Sequence, residues 1–190
     1  MRVISTELDG VVIIEPELHE DSRGYFFESF SQRDFDSLVS PTVFVQDNES
    51  RSSYGVIRGL HYQCGDSSQG KLVRAVLGKA LDVAVDIRIG SPTFGKHVAV
   101  ELSGENHRQL FIPRGFAHGF SVLSESLVLQ YKCDRFYDPS SERGIAWDDP
   151  DLGIDWRIPT ESVIVSEKDS HRPRLSEAED LFIWESSRKH

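Results

Sequence analysis

The sequence predicts a mainly β protein, an antiparallel jelly-roll barrel, on three observations. Residues 81–89 read LDVAVDIRI, in which apolar side chains alternate with Asp82, Ala84, Asp86 and Arg88, as in a strand with one buried face. Further short apolar runs follow at close spacing, and they read HVAVEL, RQLFIP, GFSVL and SLVLQYKC. Glycine, proline and serine separate these runs, and such residues are typical of turns between strands. Many short strands joined by turns indicate a sandwich or barrel.

Short helices are predicted in the N-terminal third and at the C-terminus. Residues 31–39 form an apolar side that includes Phe35, which favours a short helix. Near the end of the chain, Ser176 and Glu179 resemble a capping box. This pattern predicts a second helix that runs through Trp184.

The chain has 190 residues, a length that fits one domain able to bury its own core without disulfides or metal. Its share of hydrophobic residues is 38% and of charged residues 27%, as in ordered globular proteins. The sequence shows no internal repeat and no linker. We therefore expect one domain over residues 1–190, with a core at about 4–169 and a helical appendage at about 174–190.

Charge and cysteine content exclude several classes of protein. The formal net charge of −10 argues against binding a nucleic-acid polymer, which needs an extended basic surface. Residues 1–15 lack the pattern of a secretory signal, and no apolar run has membrane-spanning length, so we expect a cytoplasmic protein without membrane contact. Cys64 and Cys133 lie far apart with no CxxC pairing, which favours reduced thiols.

Polar side chains within the apolar strands indicate a ligand site. They are Arg58, His61, Gln63, Lys71, Arg74, His118 and Tyr131. Any one of them alone is explained by a solvent-facing position in an alternating strand. Seven together favour a polar, ligand-sized interior. The local excess of arginine and lysine in the first half of the chain also permits a small phosphorylated ligand.

Several blocks of the sequence resemble one family. They read DSRGYFFESF, QDNES, GVIRGLHYQ, QGKLVRAVLG, DVAVDIR, SPTFG, IPRGFAHGF, YKCDRFYDPSSERGIAW and SEKD. In this order and spacing, over residues 4–169, they resemble the dTDP-4-dehydrorhamnose 3,5-epimerase family of the cupin superfamily. The resemblance implies a homodimeric, cofactor-independent enzyme. It would invert carbons 3 and 5 of dTDP-4-keto-6-deoxy-D-glucose, giving dTDP-4-keto-L-rhamnose for dTDP-L-rhamnose biosynthesis.

The resemblance assigns four residues to the chemistry. A base must remove a proton beside the ketone, and the electrons that move into the carbonyl need a cationic or hydrogen-bonding partner. His61 matches the base and Asp169 its carboxylate partner. Lys71 matches the cation at the carbonyl oxygen, and Tyr131 matches the acid that returns the proton on the opposite face. From the residues alone, a loop carboxylate, a solvated lysine and a core tyrosine remain the alternatives.

The resemblance also matches residues to substrate binding. They are Arg23, Glu28, Gln46, Asp47, Asn48, Arg58, His118, Tyr137, Glu142 and Lys168. Arg23, Arg58 and Lys168 would offset the charge of the diphosphate. Tyr137 matches the aromatic residue that stacks on thymine, a contact that would not by itself reject uracil. Any of the polar residues could instead lie on the surface.

No metal is expected. Cupin barrels that bind metal typically use an HxH pair, a glutamate and a later histidine, whereas this chain reads HYQ, with Gln63 in place of the second ligand. Strict alternation along this strand would put Arg58 and His61 on opposite faces. Gly59 could host a bulge that resets the alternation, or Arg58 could act across a subunit contact. For the dimer, the apolar run VVII could add to a partner's sheet edge.

Alternatives to the double epimerase stay open. They are an epimerase of carbon 3 alone, a ketoisomerase, a nucleotide-sugar-binding cupin without activity and a metal-dependent oxygenase. The set of His61, Asp169, Lys71 and Tyr131 favours the double epimerase, because binding alone requires no acid and base. Asp134 and Arg135 stand where the family usually shows a threonine or serine followed by an acidic or amide residue, and CGDSSQG lacks a proline often found there.

Overall fold

Two antiparallel sheets make up most of the computed structural model, which describes residues 1–184. In chain order the strands are β1 (Arg2–Ser5), β2 (Val12–Glu15), β3 (His19–Asp21), β4 (Gly24–Phe26), β5 (Gln46–Ser53), β6 (Ile57–Gln63), β7 (Lys71–Leu77), β8 (Lys79–Asp86), β9 (Arg88–Ile89), β10 (His97–Ser103), β11 (Gln109–Ile112), β12 (Phe116–Val122), β13 (Ser126–Cys133), β14 (Glu142–Gly144) and β15 (Phe182–Ile183). The helices are α1 (Gln32–Leu38) and α2 (Glu167–Ser170), with 3-10 turns at Gly65–Ser67, Thr160–Ser162 and Leu175–Glu177.

The larger sheet has six strands in the order β1-β2-β11-β7-β13-β5, and the second has five in the order β10-β8-β12-β6-β14. The short strands β3 and β4 form a separate hairpin, and β15 pairs with β9. The predicted mainly β, antiparallel architecture is confirmed. In the described chain the edge strands of the two sheets are not hydrogen-bonded to each other, so the two sheets do not close into one continuous barrel. Side-chain packing joins the sheets instead.

The main core lies between the two sheets. Val73, Leu110 and Leu129 of the six-stranded sheet and Leu102 and Phe120 of the five-stranded sheet belong to one buried cluster. These residues belong to the faces of the two sheets that pack against each other, and their neighbours along each strand belong to the opposite face. Apolar packing fills one part of the space between the sheets and leaves the rest for polar side chains.

The five-stranded sheet is covered on its other face too. Leu81, Val83 and Val85 of β8 pack in a second buried cluster with Ile145 and Trp156 from the C-terminal part of the chain. The prediction that β8 buries only one face is therefore wrong, since the C-terminal segment covers the face that would otherwise be solvated. A buried sheet can carry a charged residue only where that residue is paired.

Helix α1 is confirmed at its predicted place. Ser31 caps it by accepting a hydrogen bond from the backbone N–H of Asp34, and its one buried side chain, Phe35, packs edge-on against Phe111 of the six-stranded sheet. Because the helix has only seven residues, this apolar contact supplies much of what holds it.

The predicted C-terminal helix is wrong over the described residues. The chain makes one 3-10 turn at Leu175–Glu177 and then β15, which runs parallel to β9. Leu175 is buried in the core, and the Arg88 guanidinium lies 4.2 Å from the centre of the Trp184 ring. These tertiary contacts favour an extended segment over the local capping signal. The part of the predicted helix beyond residue 184 lies outside the described residues.

The VVII segment does not form a free sheet edge. It gives β2, which is paired on one side with β1 and on the other with β11, so the predicted addition of this strand to a partner's sheet is wrong. The edge strands of this sheet are β1 and β5. In residues 1–184, no helix is both long and apolar enough to cross a membrane.

Candidate active site

A cavity of about 560 Å³ opens between the two sheets beside α2. It is lined by many of the residues that the sequence assigned to a ligand site, and these are Arg58, His61, Lys71, His118, Tyr131, Glu142, Lys168 and Asp169. They come from β6, β7, β12, β13, β14 and α2, so the site exists only in the folded chain. A volume of this size suits a small organic ligand.

A bulge in β6 places Arg58 and His61 on the same wall. His61 pairs with His118 of β12, and Arg58 pairs with Phe120, so β6 has one residue more than β12 over this interval. Gly59 lies in the bulge with a φ of 128°, and a Cβ there would approach the Gly119 Cα to 2.5 Å. Only glycine fits this backbone and this close approach.

His61 and Asp169 form a hydrogen-bonded pair. The Nε2 atom of His61 lies 2.6 Å from Oδ1 of Asp169, and the carboxylate is almost fully buried. Asp169 lies in the first turn of α2, where the cap residue Ser166 accepts its backbone N–H. Burial alone would raise the pKa of Asp169, but the hydrogen bond and charge of His61, with smaller contributions from Ser166 and the Gly59 backbone, hold the pKa below its ordinary value.

Lys71 and Tyr131 reach the cavity from the opposite sheet. Lys71 begins β7 and Tyr131 lies on the adjacent β13, where Lys71 pairs with Cys133 and Tyr131 with Val73. Burial lowers the pKa of Lys71, and burial raises the pKa of Tyr131 above 10.0. The phenol is therefore protonated at neutral pH and can donate a proton.

His118 also has a carboxylate partner. Its Nε2 lies 3.0 Å from Oδ2 of Asp82, and both residues are buried. Asp82 belongs to the polar side of the LDVAVDIRI pattern, which faces the interior. The pairing satisfies the carboxylate of Asp82 and fixes the orientation of the His118 ring beside His61.

The carboxylate of Glu142 binds three side chains at the edge of the cavity. Its carboxylate accepts from Lys168 of α2 and from Arg172, each at 2.6 Å, and from the hydroxyl of Tyr137. Burial opposes ionisation of Glu142, but these three hydrogen bonds outweigh it and lower its pKa to about 2. Glu142, which is ionised at neutral pH, therefore holds Tyr137 beside the cavity.

Other residues assigned to substrate binding lie outside the lining. Gln46 accepts the backbone N–H of Tyr137 and donates to Asn48, so these two support the rim. Asp47 lies between Gln46 and Asn48 on β5. Its side chain points to the outer face and forms an ion pair with Lys132. Arg23 is exposed in the β3–β4 turn and binds Asp21.

Glu28 is exposed and lines a separate cavity of about 190 Å³ near the N-terminus. Gln63 is buried, and within residues 1–184 its side chain bonds only to backbone groups, donating to Ser67 and Phe136 and accepting from Asp138. Over the described part of the chain, no three or more His, Cys, Asp and Glu side chains are grouped as metal ligands would be.

Sequence reasoning missed Asp82, Ser166 and Arg172 as parts of the site. The S-x-x-D spacing of Ser166 and Asp169 is a capping signal that could have been recognised. The sequence showed Asp82 only as one of the polar residues that alternate along a strand, and no sequence pattern indicates Arg172. Asp134, one of the departures from the family pattern, accepts the backbone N–H of Gly70. This bond fixes the chain immediately before Lys71, so the departure supports the site without entering it.

Three comparisons with known proteins agree with this geometry. The family model described as dTDP-4-dehydrorhamnose 3,5-epimerase matches residues 5–177. The chain is 52% identical to a protein of that description from Shigella flexneri, over 96% of this chain and 100% of that protein.

Solved structures agree as well. The crystal structure of a dTDP-6-deoxy-D-glucose-3,5-epimerase from Legionella pneumophila in complex with dTDP-4-keto-L-rhamnose superimposes with a TM-score of 0.94 at 49% identity, covering 97% of this chain and 99% of that one. A 3'-monoepimerase from Streptomyces bikiniensis in complex with dTDP-quinovose has a TM-score of 0.84 at 33% identity, covering 90% of this chain and 86% of that one. The predicted fold class is thereby confirmed.

Proposed function

The chain belongs to the dTDP-4-dehydrorhamnose 3,5-epimerase family, and from this premise we propose that the cavity between its two sheets is the catalytic centre. The protein is an isomerase that converts dTDP-4-keto-6-deoxy-D-glucose to dTDP-4-keto-L-rhamnose, a step of dTDP-L-rhamnose biosynthesis. The observation that carries the assignment of the centre is the contact between His61 and Asp169 on the cavity wall, at 2.6 Å.

His61 is the base in this proposal. With Nε2–H donated to Asp169, the ring has the tautomer in which Nδ1 carries a free lone pair, and that nitrogen takes the proton from the carbon beside the ketone. The ring then becomes an imidazolium, which the buried carboxylate of Asp169 stabilises. The pair thus supplies a base without a metal or cofactor in the proposed steps.

Lys71 stabilises the oxyanion of the enolate. Removal of the proton moves the electron pair into the carbonyl, and a charged donor placed at that oxygen lowers the barrier. The lowered pKa of Lys71, caused by burial, makes its N–H groups stronger donors to an oxygen that is gaining charge. No other cation of β7 lines this cavity in the described residues.

Tyr131 returns the proton from the other face. It projects from the six-stranded sheet, whereas His61 projects from the five-stranded sheet, so a sugar between them has the base on one side and the phenol on the other. Protonation from the phenol side inverts the carbon. His61 then releases its proton to solvent and Tyr131 regains one, and repetition at carbon 5 completes the double epimerisation.

The rest of the wall holds the nucleotide. We assign Arg58 and Lys168 to the diphosphate, because both line the cavity and both carry charge that would offset it. Tyr137 is half-exposed and held by Glu142 at the rim, where its ring can stack on the base. His118 is assigned to the sugar, since its ring is fixed by Asp82 beside His61.

Solvent deuterium incorporation tests the assignment. The purified protein, incubated in D₂O with dTDP-4-keto-6-deoxy-D-glucose, should introduce deuterium at carbons 3 and 5 with inversion, read by NMR and mass spectrometry. His61→Ala should abolish the exchange, and His97→Ala, which alters a histidine outside the cavity, should retain it. Deuterium exchange that persists in His61→Ala would refute the assignment of His61 as the base. Deuterium at carbon 3 alone would indicate an enzyme that epimerises only that carbon.

A homodimer is also proposed, because Arg23 and Glu28 lie outside the cavity of their own chain. All six strand residues of the β3–β4 hairpin are exposed, including Phe26 at 69%, which suits a surface buried against a second copy. Mixing Arg23→Ala with His61→Ala should restore activity in heterodimers if the hairpin completes the partner's site. If activity is not restored, Arg23 does not act in the site of the partner chain.

Two further expectations stay proposals. One domain over residues 1–190 is supported by the way β15, near the end of the described chain, pairs with β9 in its middle. A cytoplasmic location is supported by the thiols of Cys64 and Cys133, which are both free.

A further inference from the structure

Arg172 lies behind the catalytic pair, two residues after α2. Its side chain is only 12% exposed, and its Nη2 donates to Oε1 of Glu142 at 2.6 Å. Its Nε lies 3.8 Å from Oδ1 of Asp169. The space for this side chain exists because residue 144 is glycine, since a Cβ there would come within 2.7 Å of the Arg172 Nε.

The Nε–H group of Arg172 is buried and has no hydrogen-bond partner among residues 1–184. An unsatisfied buried donor on a cation is costly, and in a native protein it calls for an explanation. The carboxylate oxygen Oδ1 of Asp169 lies 3.8 Å from this Nε, and it is the same oxygen that bonds Nε2 of His61 at 2.6 Å. The arginine and the histidine therefore share one carboxylate oxygen.

We propose that Arg172 is a positioning residue that sets the pH range in which His61 works as a base. The positive charge of Arg172 partly offsets the negative charge of Asp169. The carboxylate therefore stabilises the imidazolium less than it would without Arg172, and His61 stays neutral to a lower pH. By bonding Glu142 as well, Arg172 ties the wall that carries Tyr137 to the catalytic pair. The inference rests on the proposed role of His61.

Other charged and titratable groups line the cavity around the pair. They are Arg58, Lys71, His118, Tyr131, Glu142 and Lys168. All of them remain when Arg172 alone is replaced, so a change in the pH profile reports the charge of residue 172. An arginine that only fills space would affect stability and leave the profile unchanged.

The test compares Arg172→Met, which keeps much of the length without the charge, with Arg172→Lys, which keeps the charge. The pH dependence of kcat/KM is followed by product formation, and folding is checked by thermal unfolding. We expect the acid limb of Arg172→Met to move to higher pH by about half a unit to one unit. The limb of Arg172→Lys should stay near that of the wild type, with a lower kcat because an ammonium cannot face both carboxylates.

A folded Arg172→Met variant with the wild-type profile would overturn the inference, as would an equal shift in Arg172→Lys. If Arg172→Met does not fold, Arg172→Gln replaces it, and failure of both neutral variants to fold would assign the arginine to the fold and overturn the proposal too. His61→Ala in the same assay separates the two hypotheses. Activity retained in His61→Ala refutes the base, whereas an inactive His61→Ala with an unshifted Arg172→Met refutes only the role of Arg172.

Discussion

Arg58 and His61 lie three positions apart on one strand and still line the same cavity, because β6 contains one residue more than β12 between their cross-strand partners. In an unbroken strand, residues three apart point to opposite faces. The bulge therefore puts the proposed phosphate-binding arginine and the proposed base on one wall. The predicted bulge at Gly59 is confirmed by the register of β6 and β12.

Gly59→Ala should damage both folding and activity. The new Cβ would lie 2.5 Å from the Gly119 Cα and 2.9 Å from the His118 carbonyl oxygen, and neither is a flexible group. We expect a loss of about 2–4 kcal/mol in the free energy of unfolding, measured by urea denaturation. In any variant that folds, kcat/KM should fall at least tenfold, because Arg58 and His61 would be displaced.

Gly24→Ala is the matched control for Gly59→Ala. Gly24 has a φ of 125°, close to the 128° of Gly59, but nothing lies within 4 Å of a Cβ built there. Gly24→Ala should therefore lose only about 1 kcal/mol in the free energy of unfolding, which is the cost of the backbone conformation alone. Equal losses in the two variants would mean that backbone conformation, and not close approach to β12, determines the requirement at Gly59.

Asp169→Asn should lower kcat by about 10²- to 10⁴-fold with little change in KM. An amide at this position cannot stabilise an imidazolium, and it can donate to Nε2 and so favour the wrong tautomer of His61. Steady-state kinetics at neutral pH give both constants. Because the two residues act as a unit, His61→Ala with Asp169→Asn should be no worse than His61→Ala alone, and additive losses would contradict the pairing.

Tyr131→Phe should separate exchange from inversion. His61 remains able to remove a proton and to return a deuteron to the same face, so deuterium should enter the substrate while formation of inverted product falls about 10²-fold or more. The ratio of exchange to product, followed by NMR in D₂O, measures this. Loss of exchange and inversion together would show that the tyrosine does more than return the proton.

Local patterns predicted the strands and α1 well, since alternation, turn residues and the Ser31 cap are local signals. They failed where a distant segment decides the structure. Covering of β8 on both faces depends on Ile145 and Trp156, and the C-terminal strand depends on pairing with β9. Tertiary contacts of this kind leave no mark on the segment itself.

The strand pattern had already indicated His61, Lys71 and Tyr131 as members of a ligand site, but their chemical roles, and Asp169, were predictable only through resemblance to a family. The structure brings all four to one cavity. Arg172 escaped prediction because its role arises from meeting Glu142 and Asp169 in space. Arg23 and Glu28 fit the same resemblance but lie elsewhere in the chain's own fold, so sequence blocks alone do not reveal whether a site is completed by a second copy.

Glu142 should make the stability of the protein depend on acid pH. Its folded pKa of about 2 lies below the ordinary 4.5, so its carboxylate stabilises the fold fully above about pH 4.5, and that contribution disappears as the pH falls toward 2. Glu142→Gln removes the titration. The difference between wild type and variant in the free energy of unfolding should be about 3 kcal/mol at most near neutral pH and should shrink across this window.

Urea denaturation at a series of pH values measures this difference in the free energy of unfolding. Glu105→Gln, at an exposed turn, is the control and should give only a small difference. A Glu142→Gln difference that stays constant down to about pH 2 would mean that Lys168, Arg172 and Tyr137 bind the amide as well as the carboxylate, and that the charge of Glu142 does not hold the rim together.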